Sequence, residues 1–65
     1  MDDAKILSMV TKLRRELRAA KTNDDIWGLM ERIKKLSRES KHHPEVLELR
    51  RLTKEKQDLF KNNAL

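Results

Sequence analysis

Residues 21–36 read KTNDDIWGLMERIKKL, and the fold turns on how that stretch is read. Ile26, Leu29, Met30, Ile33 and Leu36 recur every three or four residues, the period of a helix that buries one side. The polar run ahead of them supplies a start. Thr22 or Asn23 can accept a hydrogen bond from a free first-turn amide, and Thr22 with Asp25 has capping-box spacing, with aspartate where glutamate is preferred. A helix is therefore expected from about Asp24 to Ser40. The same stretch places the chain's only glycine, Gly28, beside its only tryptophan, Trp27. Glycine inside a helix costs roughly 1 kcal/mol against alanine. The expectation is that another helix comes close at Gly28 while Trp27 packs over the seam. The competing reading leaves Trp27 half-exposed as an anchor for a partner, since tryptophan is enriched among binding hot spots.

Working outward, Ile6, Val10, Leu13, Leu17 and Ala20 alternate steps of four and three, widened by Leu7 and Met9, which marks a first helix over about residues 3–20. Asp2 and Asp3 suit its positive end, and Arg14, Arg15, Arg18 and Lys21 crowd its negative end. Downstream, SRESKHH (37–43) breaks the second helix, and Pro44 fits the first turn of a third because its missing amide would be unpaired there anyway. Val46, Leu49, Leu52, Leu59 and Phe60 give that helix a span of about 44–61, with 62–65 loose. An inward position falls near Lys56. Its stem then lies on the core with the ammonium in water, or the helix frays around Thr53. Three amphipathic helices with short links make an all-α fold, a small antiparallel three-helix bundle occupying residues 1–65 as one domain.

At 65 residues the chain has a marginal core, and no cysteine is present to staple it or to build a zinc site. No apolar run approaches the roughly 18 residues that cross a bilayer, and MDDAK is acidic where a signal peptide is basic. An intracellular protein, cytoplasmic or nuclear, with no membrane partner is expected. Lysine and arginine number 16 against 11 acidic residues, leaving +5, a balance that favours acidic partners.

Arg14, Arg15, Arg18 and Lys21 form one basic cluster; Arg32, Lys34, Lys35, Arg38 and Lys41 form another, and acidic residues interrupt both. Both either complement helix dipoles or contact phosphates and acidic segments. No aromatics alternate with them, so single-strand stacking is not expected. A groove-reading second helix would begin with two aspartates facing phosphates. His42 and His43 are adjacent, about 100° apart on a helix, which is poor chelating geometry and favours capping or surface roles. One glycine excludes phosphate-loop and dinucleotide patterns. No nucleophilic triad is indicated, so neither catalysis nor a cofactor is expected.

The order of segments resembles the N-terminal helical domain of the transcription elongation factor S-II family. The similarity lies in MDDAKILSMVTKLRREL, in KTNDD leading into IWGLMERIKKL, and in HPEVLELRRLTK followed by LFKNN. The chain departs from that pattern where Thr53-Lys54 is followed by Glu55 and Lys56 rather than glycine, and in lacking the family's closing helices. The resemblance implies a non-catalytic docking module in transcription. Trp27, Leu29, Met30 and Ile33 would line the groove, and Arg14, Arg15, Arg18, Lys34, Lys35 and Arg38 would steer an acidic motif. The leading expectation is thus a protein-interaction module for an acidic or amphipathic partner segment. A small nucleic-acid-binding protein and a self-associating homo-oligomer are the alternatives.

Overall fold

The structure, a computed structural model, describes residues 2–63, with side chains as far as Lys61. Three helices follow one another, α1 (Asp3–Ala19), α2 (Asn23–Glu39) and α3 (Pro44–Asn63), and no strand occurs among the described residues. They pack as a small elongated bundle, 42 × 18 × 15 Å, in which α2 and α3 are the most intimate pair. No helix of the described residues is long and apolar enough to cross a membrane. The boundaries fall within two residues of those expected from periodicity and caps. The backbone of Asn62 and Asn63 continues α3. The looseness expected at 64–65 lies outside the described residues.

Each helix start has a named donor–acceptor pair. Asp2 caps α1 by accepting from the Lys5 amide at 2.8 Å. Thr22 caps α2 by accepting from the Asp25 amide at 3.1 Å, and Asp25 reaches back to the Lys21 amide at 3.2 Å. The reciprocal box thus closes one residue earlier than the usual form. The Lys21 amide is the main cause that holds the Asp25 carboxyl below its ordinary range, followed by the Thr22 hydroxyl. His43 caps α3: its carbonyl accepts from Val46 and Leu47, and its Nδ1 accepts from the Glu45 amide at 3.1 Å. That acceptor role places the ring proton on Nε2, which faces Asp3 Oδ1 at 3.6 Å. His42 Nδ1 lies 3.2 Å from the hydroxyl of Ser37, a buried residue. Both histidines thus serve the turn between α2 and α3.

That turn ends α2 in a Schellman motif. The His42 amide donates to Ser37 O and the Lys41 amide to Arg38 O. Lys41 has φ 55° and His42 φ 62°, left-handed conformations that disfavour residues bearing a Cβ.

The core joins Ile6, Val10, Leu13, Leu17 and Ala20 of the first segment to Ile26, Leu29, Ile33 and Leu36 of α2 and Val46 and Leu49 of α3. In α3 the buried stripe departs from expectation. Thr53 is fully buried while Leu59 is 59% exposed. The inward side runs through residues 46, 49, 53, 56 and 60, alternating steps of three and four. Thr53 is tolerated there because its hydroxyl donates to the Leu49 carbonyl at 2.8 Å, satisfying a polar group that would otherwise be costly to bury. Lys56 lays its stem inward without fraying the helix. Its ammonium, on a residue only partly buried, is not left to water alone. It donates to the carbonyls of Leu17 and Arg18 at the C-terminal end of α1, where a cation meets the negative end of the dipole. Phe60 packs against the core, with the same ammonium 5.8 Å from its ring centroid.

Candidate interaction face

Two seams define the sides of α2. Toward α1, Arg32 donates to Glu16 Oε1 at 2.9 Å. That bond is the main reason the Glu16 carboxyl lies below its ordinary range. An open groove of about 450 Å³ lies on this side, lined by Glu16, Arg32, Ala20, Asp25 and Gly28 among others. Toward α3, Asn23 shares a recess of about 240 Å³ with Gln57, Asp58 and Lys61.

Trp27 is one helical turn beyond Asn23 and therefore projects on the α3 side. Gly28 faces the α1 side. The two adjacent residues look into different seams, and neither plays the packing role expected of it. A Cβ built at Gly28 would meet nothing within 4 Å. No helix approaches there; the glycine leaves the α1/α2 groove open. Trp27 is 59% exposed and does not close the core. Gly28→Ala should accordingly raise stability by about 0.8 kcal/mol, the helix-propensity gain with no steric penalty. A lower melting temperature would contradict the open groove.

The four apolar residues expected to line a partner groove separate into two pairs. Leu29 and Ile33 are 5% and 0% exposed, so they belong to the core and cannot serve as an open contact surface. Their positions lie at the centre of the inward stripe, which the sequence period alone does not distinguish from a groove. Met30 is half-buried against the core and Trp27 stands outside it. Trp27→Ala should therefore leave thermal stability within about 0.5 kcal/mol, the range of surface substitutions. A drop of several kilocalories would restore the tryptophan to the core.

The basic residues separate similarly. Arg14 is half-buried and faces Glu45 of α3 at 4.0 Å, which neutralises part of the α1 cluster. Arg15 and Arg18 are exposed and stand away from the Trp27 seam, because Arg14 and the Lys56–Arg18 contact turn this end of α1 toward the other flank of α3. On α2, Lys34 and Arg38 lie seven and eleven residues beyond Trp27 and within about 20° of its direction, whereas Lys35 diverges by about 80°. On α3, Arg50 and Lys54 precede Gln57 by seven and three residues and so share its α2-facing side. These last two were not singled out from the sequence, where they read as ordinary exposed positions. Only the shared recess shows that they stand across from Trp27's helix. None of Lys34, Arg38, Arg50 and Lys54 forms an ion pair among the described residues.

The opposite flank of α3 is balanced internally. Arg51 bridges Glu48 and Glu55, and its guanidinium lowers the Glu48 carboxyl, chiefly through their hydrogen bond. Four cations without an ion pair among the described residues, Lys34, Arg38, Arg50 and Lys54, thus lie along the α2/α3 side with the exposed tryptophan, while others, such as Lys12, Arg15 and Arg18, lie on α1. Among the described residues no group of three or more histidine, aspartate or glutamate side chains is placed to hold a metal ion. Compared with protein-family models, curated proteins and solved structures, the chain matches none of them.

Proposed function

We propose that this chain is a non-catalytic protein-interaction module whose α2/α3 side docks an acidic, amphipathic partner segment. One observation carries the reading. Trp27 is largely exposed although the core is already filled by aliphatic residues from all three helices. An indole left in water gives no folding benefit but is a strong contact once a partner covers it. Met30 extends the apolar strip inward, and Lys34, Arg38, Arg50 and Lys54 offer unpaired cations beside it. Apolar burial would supply affinity; the charges would set encounter rate and partner choice. The segment order that resembles the S-II N-terminal domain makes transcription the setting in which to seek the partner, inside the cell.

The test is an amide-shift titration with a helical peptide carrying one apolar anchor and several glutamates. Shifts should centre on Trp27, Met30 and Lys34, and Trp27→Ala should weaken binding about tenfold or more, as hot-spot removal does. Shifts elsewhere, or none, would overturn the proposal. Tight duplex DNA binding that falls steeply with salt and needs no Trp27 would instead favour phosphate contact.

A further inference from the structure

Resting on the reading of Trp27 as a contact residue, we infer that the acidic, amphipathic surface it docks is the α1/α2 groove of a second copy of this chain. Two features of α2 have no role inside one molecule. Trp27 stands in water, and Gly28 weakens the helix although no other side chain or helix comes close to it. The two are adjacent, about 100° apart around the helix and about 1.5 Å apart along it. One is a knob on the α3 side; the other opens a groove on the α1 side. Within a single chain they cannot meet.

The groove suits an indole in size and in chemistry. Its volume is about 450 Å³, and three of its lining residues, Ala19, Ala20 and Gly28, carry a methyl group or less. Its charged lining is three carboxylates, Glu16, Asp24 and Asp25, against one guanidinium, Arg32. Arg32 already serves Glu16 Oε1, while the buried Oε2 of Glu16 has no donor among the described residues. An indole N–H needs an acceptor once it is covered, and these oxygens offer one. The surroundings of Trp27 carry the complementary charge. Lys61 lies in the recess beside Asn23, and Lys54 is one turn nearer the level of Trp27. Asp58 is the single carboxylate lining that recess.

Symmetry selects the arrangement. A two-fold axis running alongside α2 lays the α3 side of each copy across the α1 side of the other, at the same level. Each Trp27 then reaches the groove beside the partner's Gly28. Lys54 and Lys61 face the partner's Asp24 and the partner's Asp25. A two-fold axis across α2 would instead set Trp27 against Trp27 and lysine against lysine. The favoured contact is made twice and closes with two chains, as an isologous dimer does. Glycine lets the two α2 backbones come close where they pass.

Sedimentation velocity of the whole 65-residue protein over a concentration series, with Trp27 emission followed in parallel, tests the pairing. The expected result is a reversible monomer–dimer equilibrium, with emission moving to shorter wavelength as dimer forms. Gly28→Leu fills the groove and favours the helix, so the fold should persist while the dimer weakens about tenfold or more. Asp24→Lys should weaken it severalfold, and adding Lys54→Asp should restore part of that loss, because the two charges are exchanged across the interface. Both positions are exposed. The glutamate-bearing peptide that tests docking should compete and return the protein to single chains. A single chain at every concentration, with Trp27 still shifted by that peptide, would overturn the pairing and leave docking intact. A dimer indifferent to Gly28→Leu, or assemblies that grow beyond two chains, would also overturn it. Trp27 unmoved by both concentration and peptide would remove the docking reading as well.

Discussion

Replacing Ile33 by alanine should abolish cooperative unfolding of this chain at ordinary temperature. Ile33 is fully buried at the middle of α2, between the ridges that α1 and α3 bring to the core. Isoleucine-to-alanine changes at such sites cost about 2–5 kcal/mol, from lost transfer energy and from the cavity left behind. A bundle of this size without disulfide or metal rarely has more than about 3–5 kcal/mol in total. The loss therefore matches the whole stability. A urea or thermal melt followed by circular dichroism would show a broad, sloping transition in place of a sigmoid one. A melting temperature lowered by only a few degrees would mean that α2 is not the central helix of the core.

Lys41→Gly should act in the opposite direction. Lys41 occupies the left-handed position of the Schellman turn, φ 55°, where glycine is ordinarily found. A side chain in that conformation costs about 1 kcal/mol or a little more. Lys41 is exposed and has no ion pair among the described residues to lose. The substitution should raise the melting temperature by about 4–8 °C, as 1 kcal/mol does for a domain of this size. Lys35→Gly, placed inside α2 with ordinary helical geometry, should lower it by a comparable amount. Destabilisation by Lys41→Gly would show that the turn between α2 and α3 has another conformation.

The residues that sequence reading placed well are those whose role is local. Thr22 and Asp25 form the start of α2 because side-chain oxygens within four residues of free amides, Thr22 toward Asp25 and Asp25 back toward Lys21, need no distant partner. Pro44 opens α3 for the same kind of reason. The stripes of α1 and α2 were legible because aliphatic residues occupy the inward positions of α1 and all but Ser37 of those of α2. In α3 the inward positions carry Thr53 and Lys56, and hydropathy drew the stripe toward Leu59 instead. Thr53 is acceptable inside only because the Leu49 carbonyl takes its hydroxyl proton, and Lys56 because Leu17 and Arg18 offer carbonyls from another helix.

Trp27 and Gly28 were misread for a related reason. Their residue types announce packing, but which seam each one faces depends on how α1 and α3 flank α2. One of four candidate contact residues stands clearly outside the core, and two are wholly inside it, because an amphipathic period does not separate a filled seam from an open groove. The cations of α3 that share Trp27's side have no sequence signature at all. Arg50 and Lys54 become neighbours of α2 only once the turn at 40–43 folds the third helix back.

The most direct measurement is acrylamide quenching of Trp27 in the folded protein at concentrations where sedimentation gives a single chain. The expected result is quenching well above that of a buried indole, as 59% exposure implies, falling sharply when a helical peptide with one apolar anchor and several glutamates is added. An indole already shielded in the lone folded chain would contradict the idea that this side of the molecule stands ready for a partner.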